Sequence, residues 1–317
     1  MCKFYKFLSE SRSYWESVKT KPIFLNQDRK AVAAFERKGN QLHEILFLPE
    51  AEYALPAYNF ILPDFLNDEK IKKILTETFG IRKPSLKDAI YSTILPLYER
   101  GKEIDAENAK THFRIFFDYW RNSGKPEDFI SSIKDTPFIL YRTKEGKAGR
   151  GKSSEIYYPT PELKKYFESK PDAKFVDLDC YKSTIKEKEK DLEDFLLKLG
   201  VNKLPRIFEL EKTTIQLTEM QRECISQRIH VERIYKVTDK DIDGVREIVE
   251  AVNRENSLIL WCFLKQLPSD KYSSGIYNYF YYTNRRGEFE STALELLKTR
   301  KWLLSNNGKF VAPNEIT

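Results

Sequence analysis

Three stretches of the chain share one pattern: residues 18–25 (VKTKPIFL), 133–140 (IKDTPFIL) and 297–304 (LKTRKWLL). In each stretch the end of an amphipathic helix leads into a short apolar run. A polar turn follows, containing Lys30 in the first stretch, Lys147 in the second and Lys309 in the third. An apolar run bounded by a helix end and a polar turn is typical of a strand. The sequence therefore predicts three similar β-hairpins, each following a helix.

The similarity of the first two copies continues beyond the hairpins. Residues 45–49 resemble 155–159, residues 59–63 resemble 174–178, and both copies then have a helix that ends at a glycine, Gly80 or Gly200. This indicates an internal duplication. The predicted fold class is α+β, with duplicated units of a β-hairpin and short strands packed with helices, helix-rich overall. The predicted units are residues 1–135, residues 136–300, and a truncated third hairpin at residues 301–317.

Helical spacing of apolar residues continues after each glycine. The predicted helices cover residues 86–100 and 106–121 in the first unit, and 218–233, 239–254, 257–266 and 289–299 in the second. An aromatic stripe lies on the helix at 106–121 and consists of Phe113, Phe116, Phe117 and Trp120. Such a stripe predicts a core face of the helix.

Charge, cysteine content and hydropathy exclude several classes of protein. The 317 residues carry 54 basic and 48 acidic side chains, and the two signs are interspersed along the chain. The net charge of +6 permits contact with nucleic acid, but the basic residues are not gathered into a stripe. The four cysteines, Cys2, Cys180, Cys224 and Cys262, are far apart and do not form a zinc or disulfide pattern. Since no apolar run has membrane-spanning length and no signal peptide is recognisable, we expect a cytoplasmic protein without a membrane partner.

Residues 146–153 (GKAGRGKS) match the pattern G-x-x-x-x-G-K-S of a phosphate-binding loop. That chemistry requires a helix N-terminus directly after the loop. Residues 154–159 are instead rich in β-forming side chains and end in Pro159. We interpret the segment as a flexible basic turn of the second hairpin, with a nucleotide site or a site for another anion as the alternatives.

Residues 239–250 match the pattern D-x-D-x-D-G-x5-E of a calcium loop, whose oxygen ligands suit a hard cation. However, Ile242, Val245 and Val249 fall at helical spacing, and Thr238 is a suitable N-cap. We interpret the segment as the start of an ordinary helix, with calcium binding as the alternative.

Residues 277–282 (YNYFYY) lie beside Arg285 and Arg286 and resemble a stacking platform for single-stranded nucleic acid. A half-buried strand, in which alternate rings enter the core, is the other reading and the one we favour. The sequence contains no recognisable nucleophilic triad. We therefore predict no catalytic, cofactor-binding or metal-binding residue.

Three segments together resemble the repeating region of large sacsin-like proteins: residues 301–316, 257–261 and 289–294. In that family such segments follow an N-terminal GHKL-type ATPase domain related to the heat-shock chaperones. The resemblance implies an accessory region of a chaperone-like or defence-related protein. The E-x-x-x-N helix and D-x-G-x-G loop that hold magnesium-ATP in GHKL domains are not found in this sequence. Any ATPase activity, with its ATP and Mg²⁺, would therefore belong to an upstream domain of the parent protein.

Two functions follow as hypotheses. The first is a non-catalytic scaffold or transmission segment that contacts other domains of the parent protein, or protein partners and clients. The second is a nucleic-acid-binding or processing component that uses the basic loop at residues 142–152 and the cluster from Tyr277 to Arg286.

Overall fold

The structure is a computed structural model that describes residues 15–39, 41–49, 59–101, 103–182 and 189–316. Its fold is α+β, with small sheets packed with helices, which confirms the predicted class. The described residues form two units: unit 1 comprises residues 15–104 and 118–123, and unit 2 comprises residues 105–117 and 124–316. The repeat boundaries at residues 135 and 300 stay a prediction.

Unit 1 is built from short elements. In order they are α1 (Trp15–Lys19), β1 (Phe24–Leu25), β2 (Ala31–Val32), β3 (Phe35–Lys38), β4 (Gln41–Glu44), β5 (Leu46–Phe47), β6 (Asn59–Phe60), a 3-10 helix (Pro63–Asn67), α2 (Glu69–Lys73) with a π-helical continuation (Ile74–Thr78), α3 (Leu86–Asp88) with a π-helical continuation (Ala89–Ile94), and α4 (Leu95–Glu99). β1 pairs antiparallel with β2, β3 antiparallel with β4, and β5 parallel with β6. The core of the unit contains Phe24, Ile61, Leu75 and Phe79, all of them fully buried.

Unit 2 contains longer elements. In order they are α5 (Ala106–Asn122, of which residues 106–117 belong to unit 2), α6 (Glu127–Ile133), β7 (Ile139–Arg142), β8 (Ala148–Gly151), a 3-10 helix (Ser153–Glu155), α7 (Pro161–Tyr166), β9 (Phe175–Val176), α8 (Leu178–Lys182), α9 (Glu189–Leu199), β10 (Ile207–Lys212), a 3-10 helix (Thr214–Gln216), α10 (Glu219–Ser226), a 3-10 helix (Val231–Arg233), β11 (Ile234–Ile242), α11 (Val245–Glu250), α12 (Arg254–Leu264), α13 (Ser269–Tyr272), β12 (Ser274–Tyr281), β13 (Thr283–Glu290), α14 (Thr292–Thr299), β14 (Leu303–Leu304), β15 (Phe310–Val311) and a 3-10 helix (Pro313–Glu315).

The aromatic stripe of α5 is buried, as predicted. Phe113 stacks on Tyr181 with ring centroids 3.9 Å apart, and Phe116 meets Phe138 edge-on at 4.8 Å. Trp120 is also fully buried. These contacts place the stripe in the core, because edge-on and offset ring pairs are the favourable packing geometries.

All three predicted hairpins are present, and their turns have the same geometry. In each turn the first residue, Asn26, Thr143 or Ser305, donates its N–H to the carbonyl four residues later. The fourth residue, Arg29, Gly146 or Gly308, has a left-handed backbone with φ of 58°, 81° and 76° respectively. This is the arrangement of a three-residue hairpin loop that closes with a bulge.

The first two copies also share the hydrogen bonds that attach a third strand. Ile61, directly after β6, forms an antiparallel bridge with Asn26, directly after β1, and β9 pairs antiparallel with β7. The equivalent N–H to carbonyl bonds run from Ile61 to Phe47, from Leu62 to Leu25 and from Leu48 to Arg82 in unit 1, and from Val176 to Tyr157, from Asp177 to Leu140 and from Tyr158 to Asn202 in unit 2. Each unit therefore contains the same small arrangement of strands, followed by a helix that ends at a left-handed glycine.

The G-x-x-x-x-G-K-S segment lies in the second hairpin, as predicted. Gly146 is in the turn, residues 148–151 are β8, and the segment that follows is a three-residue 3-10 helix. The α-helix N-terminus that a phosphate-binding loop needs is not at this position.

Unit 2 contains a four-stranded antiparallel sheet in the order β10-β11-β12-β13, and the sequence pattern predicted only part of β12. The predicted helix start at Thr238 and Asp239 is wrong, because residues 234–242 form β11 and the helix begins only at Val245. Gly244, at φ 79°, separates the two elements. The helix predicted for residues 289–299 begins at Thr292, since Phe289 belongs to β13. Among the described residues, no helix is long and apolar enough to cross a membrane.

Candidate functional site

Three consecutive aromatic residues are exposed at the turn between β12 and β13. Phe280 is 58%, Tyr281 41% and Tyr282 83% exposed. We call the surface formed by Arg233, Tyr235, Phe280, Tyr281, Tyr282 and Arg285 the ribbon tip. The predicted half-buried strand is correct for the inner half of β12, where Tyr277 is buried, but not for its outer end.

The backbone at the ribbon tip is strained. Tyr282 has a φ of 60°, in the left-handed region that glycine and asparagine usually occupy. A left-handed backbone costs a residue with a Cβ atom about 1–2 kcal/mol. The fold therefore holds a bulky side chain outward at a position where glycine would be easier to accommodate.

Two arginines flank the middle ring of the tip. The guanidinium carbon of Arg233 lies 4.9 Å from the centroid of the Tyr281 ring, and that of Arg285 lies 5.5 Å from it. Tyr281 also meets Tyr282 edge-on, with centroids 4.7 Å apart. Tyr235, at the irregularity in β11 between Ile234 and Lys236, is 60% exposed. The tip thus combines exposed rings with planar cations, which attract each other through the ring quadrupole.

The two faces of the sheet behind the tip differ in burial and in charge. One face packs on α10 and buries Val237, Tyr277 and Phe289. The strand register places alternating residues on the other face, which is exposed to half-exposed except at Ile242. This face carries four acids and three bases: Glu209, Glu211, Glu288, Glu290, Lys236, Lys240 and Arg286. This face therefore carries side chains of both charges and is not a basic surface.

Glycines opposite the buried rings make the packed face possible. Tyr277 pairs with Gly287 across the strands, and Phe289 pairs with Gly275. A Cβ atom on either glycine would overlap the ring opposite it. The rings therefore lie directly over the glycine backbone, which is a close approach that no other residue permits.

The segment matching a calcium loop holds two buried ion-pair networks instead. Asp239 is fully buried and accepts hydrogen bonds from Lys212 Nζ at 2.7 Å, from Gln221 Nε2 at 3.1 Å and from the N–H and hydroxyl of Thr292 at 3.0 and 2.6 Å. We call these four residues the Asp239 clasp. Burial alone would raise the pKa of Asp239, but the bonds from Lys212 and Thr292 outweigh it and lower the pKa below its usual value.

Asp243 forms the second network. It accepts hydrogen bonds from Tyr157 Oη at 2.6 Å, Arg206 at 2.7 Å and Lys170 Nζ at 2.7 Å. Burial opposes ionisation here as well, yet the bonds from Lys170, Tyr157 and Arg206 lower the pKa of Asp243. Burial and the nearby Asp243 carboxylate raise the pKa of Tyr157. Since Asp239 and Asp243 are about four strand residues, or roughly 13 Å, apart, they do not converge on one ion.

Asp241 lies between these two networks and behaves differently. Its carboxylate accepts the N–H of Ile242 at 2.8 Å, and burial raises its pKa. Within the described residues, no group of three or more acidic, histidine or cysteine side chains is arranged to hold a metal ion.

The basic loop predicted at residues 142–152 borders an open cleft of about 700 Å³ between the second hairpin and α7. Its first two cations have partners inside unit 2. Arg142 pairs with Asp177 at 2.8 Å, and Lys144 Nζ donates to the carbonyl of Glu168 at 2.8 Å. Lys147 and Lys152 are exposed. The loop therefore provides fewer free charges than its sequence indicates.

His112 gives the fold a pH dependence. It is buried on α5, and burial lowers its pKa to about 4, with Arg150 acting in the same direction and Asp105 opposing. A histidine with a depressed pKa in the folded state stabilises the fold above its unfolded pKa of about 6.5, and this stabilisation is lost as the pH falls toward 4. We expect the His112→Gln variant to lose less stability than the wild type between pH 6.5 and 4, by up to about 3 kcal/mol. Chemical denaturation at several pH values measures this, and parallel pH profiles would contradict it.

We compared the chain with family models, curated proteins and solved structures. None of the three comparisons gave a match.

Proposed function

We propose that this chain is a non-catalytic binding and scaffold module that docks a protein partner through the ribbon tip. The observation that carries the proposal is Tyr282, which is 83% exposed and held in a left-handed backbone beside the exposed rings of Phe280 and Tyr281. Strain that persists in a fold is a reason to look for a function at the strained residue.

The residue types at the tip suit a protein interface. Tyrosine, phenylalanine and arginine are enriched at the centres of protein interfaces, where a few rigid side chains supply most of the binding energy. Arg233 and Arg285 both contact the ring of Tyr281, so less conformational freedom of this side chain remains to be lost on binding. The tip therefore presents preorganised anchors.

Charge favours a protein over a nucleic acid as the partner. A surface that follows a nucleic-acid backbone needs a continuous run of cations. The exposed sheet face next to the tip carries both acids and bases, and Lys236 is paired with Glu211 at 2.9 Å. In the basic loop, Arg142 is paired with Asp177 and Lys144 donates to the carbonyl of Glu168. These features support docking by shape and aromatic contact.

The buried ionisable groups support a structural rather than a catalytic role. Asp239 and Asp243 are ion-paired with Lys212, Lys170 and Arg206 at hydrogen-bond distance. The partners of Asp239 lie at the end of β10, in the first turn of α10 and at the start of α14. In the context that the sacsin-like resemblance implies, such a module connects an upstream GHKL-type ATPase with other domains or with client proteins.

Site-specific photo-crosslinking in the source cells tests the proposal. A photoreactive residue replaces Asn284, which lies opposite Phe280 at the tip. A matched control carries the same residue at Ile215, which is 83% exposed on a separate 3-10 helix. We expect a discrete protein adduct at position 284 that is absent at position 215. The adduct should be lost in the Tyr282→Gly variant, although that variant stays folded and gains up to about 1 kcal/mol from the relieved strain.

Equal cross-linking at both positions, or an adduct unaffected by Tyr282→Gly, would contradict docking at the tip. Thermal unfolding of each variant is the control for folding.

A second candidate function is single-stranded nucleic-acid binding, and the stacking of Arg233 and Arg285 on Tyr281 favours it. Arginine and aromatic rings together form stacking platforms for bases. A fluorescent single-stranded oligonucleotide titrated at low and at moderate salt tests this function. Binding that weakens steeply with salt and disappears in Tyr281→Ala would support it.

A further inference from the structure

The outer edge of β14 has backbone groups directed away from its hairpin partner. Ser305 donates its N–H to Lys309, so by the alternation of antiparallel pairs Leu303 and Val311 form the next hydrogen-bonded pair. Leu304 lies between Leu303 and Ser305 in the chain. Its N–H and carbonyl are therefore directed away from β15, toward the outer edge of the hairpin.

The first two hairpins show what binds at the equivalent edge. The carbonyl of Leu25 accepts the N–H of Leu62 at 2.9 Å, and the carbonyl of Leu140 accepts the N–H of Asp177 at 3.0 Å. In the first copy Gln27 also donates its N–H to the carbonyl of Phe60 at 2.8 Å. In the third hairpin the equivalent groups are the carbonyl of Leu304 and the N–H of Asn306. Neither has a hydrogen-bond partner among the residues that the structure describes.

Burial differs at the same positions, and this is an independent observation. Leu46 and Ile156, which follow the first and second hairpins at equivalent places, are 1% and 0% exposed, whereas Ile316 is 53% exposed. Phe24 and Ile139 are fully buried, whereas the equivalent Leu303 is half-buried. In the part of the chain that the structure describes, no strand covers the hydrogen-bonding edge of the third hairpin or the apolar side chains that a third strand covers in the other two copies.

We propose that the β14 edge binds an extended partner segment in which a phenylalanine precedes a β-branched residue. The chain itself defines this chemistry. The third strands of the two completed copies read Asn59-Phe60-Ile61-Leu62 and Lys174-Phe175-Val176-Asp177. Ile61 and Val176 are buried, so the β-branched residue is the anchor.

The expected pairing follows from the completed copies. The carbonyl of the incoming phenylalanine accepts the N–H of Asn306, and the residue two places later donates its N–H to the carbonyl of Leu304. The segment would run antiparallel to β14, and its β-branched side chain would cover Leu303 and Ile316. This is strand addition at an open sheet edge, in which backbone bonds give affinity and side chains give specificity.

A fusion of the full chain tests the proposal. A flexible Gly/Ser linker of about 15 residues after Thr317 carries a second copy of residues 172–178 (DAKFVDL), which keeps the segment at high effective concentration. The control fusion differs only by Asp177→Pro within the appended copy, and this change removes the N–H expected to bond to Leu304. Amide hydrogen exchange of Asn306 is measured by NMR in both fusions.

We expect the Asn306 amide to exchange at least tenfold more slowly in the first fusion than in the proline control. Equal exchange in the two fusions would overturn the proposal. A dimer with a protected Asn306 amide would support it, since the strand would then pass between two copies. The ribbon tip plays no part in this experiment, so its result is independent of the cross-linking at position 284.

Discussion

The Asp239→Ala variant is expected to unfold with a free energy about 3–5 kcal/mol lower than that of the wild type. Asp239 is 0% exposed and is the counterion of Lys212, whose side chain is only 15% exposed. Removing the carboxylate leaves the ammonium group buried without its charge partner. The Thr292 amide also loses its acceptor, and Gln221 loses the nearest of its three acceptors. Urea denaturation at pH 7 measures the difference.

Asp241→Asn is the matched control, because the residue lies on the same strand but burial raises its pKa. Its ionised form is disfavoured by folding, so we expect the variant to be at least as stable as the wild type at pH 7. The two aspartates also differ in pH dependence. Asp239 has a lowered pKa, so its contribution is present above the unfolded value of about 3.9 and is lost as the pH falls. Equal destabilisation by both substitutions would contradict the ion-pair explanation.

The Gly287→Ala variant is expected to lose about 2–3 kcal/mol of unfolding free energy, which is a large effect for one added methyl group. The new Cβ atom would overlap the ring of Tyr277, which is 2% exposed and fixed in the small core beneath the sheet. The ring has to move or the strands have to separate. Thermal and urea unfolding both measure this loss.

Gly151→Ala provides the control for the glycine prediction. Gly151 also lies in a strand, but a Cβ atom there would meet its nearest neighbours, Ile156 and Tyr141, at 3.5 Å, which is ordinary contact. We expect a change within about 1 kcal/mol at this position. If Gly151→Ala destabilised as much as Gly287→Ala, the cause would be the loss of glycine from a strand rather than the overlap with Tyr277.

Local signals explain why the hairpins were predictable. Pro22 and Pro137 end the preceding helices, and the turns carry a residue suited to a left-handed backbone at Gly146 and Gly308. These signals act within about ten residues of the chain. The α+β class and the buried aromatic stripe follow from equally local patterns.

Long-range pairing explains where the sequence prediction failed. Residues 239–249 have helical spacing, yet β11 extends through Ile242 because β10 and β12 pair with it on both sides. Strand formation depends on such neighbours more than on intrinsic preference. The spacing also gave no sign that Gly244 would break the segment.

The candidate site was predicted in part. The aromatic and arginine residues of the ribbon tip were recognised, but their exposure depends on how far the β12–β13 ribbon extends beyond the helix that covers its inner half. The partners of Asp239 were not predictable, because Lys212 and Thr292 lie 27 and 53 residues away from it in the sequence. No spacing rule connects residues at such distances.

The Asp239 clasp has a consequence for folding kinetics. Its four residues belong to β10, α10, β11 and the first turn of α14, and its longest contact, between Lys212 and Thr292, spans 80 residues. Contacts of such sequence separation require long loops to close first, which makes them costly to form before the rest of the sheet is in place. We therefore expect the clasp to form after the rate-limiting step, so that it sets the lifetime of the folded sheet by slowing its unfolding.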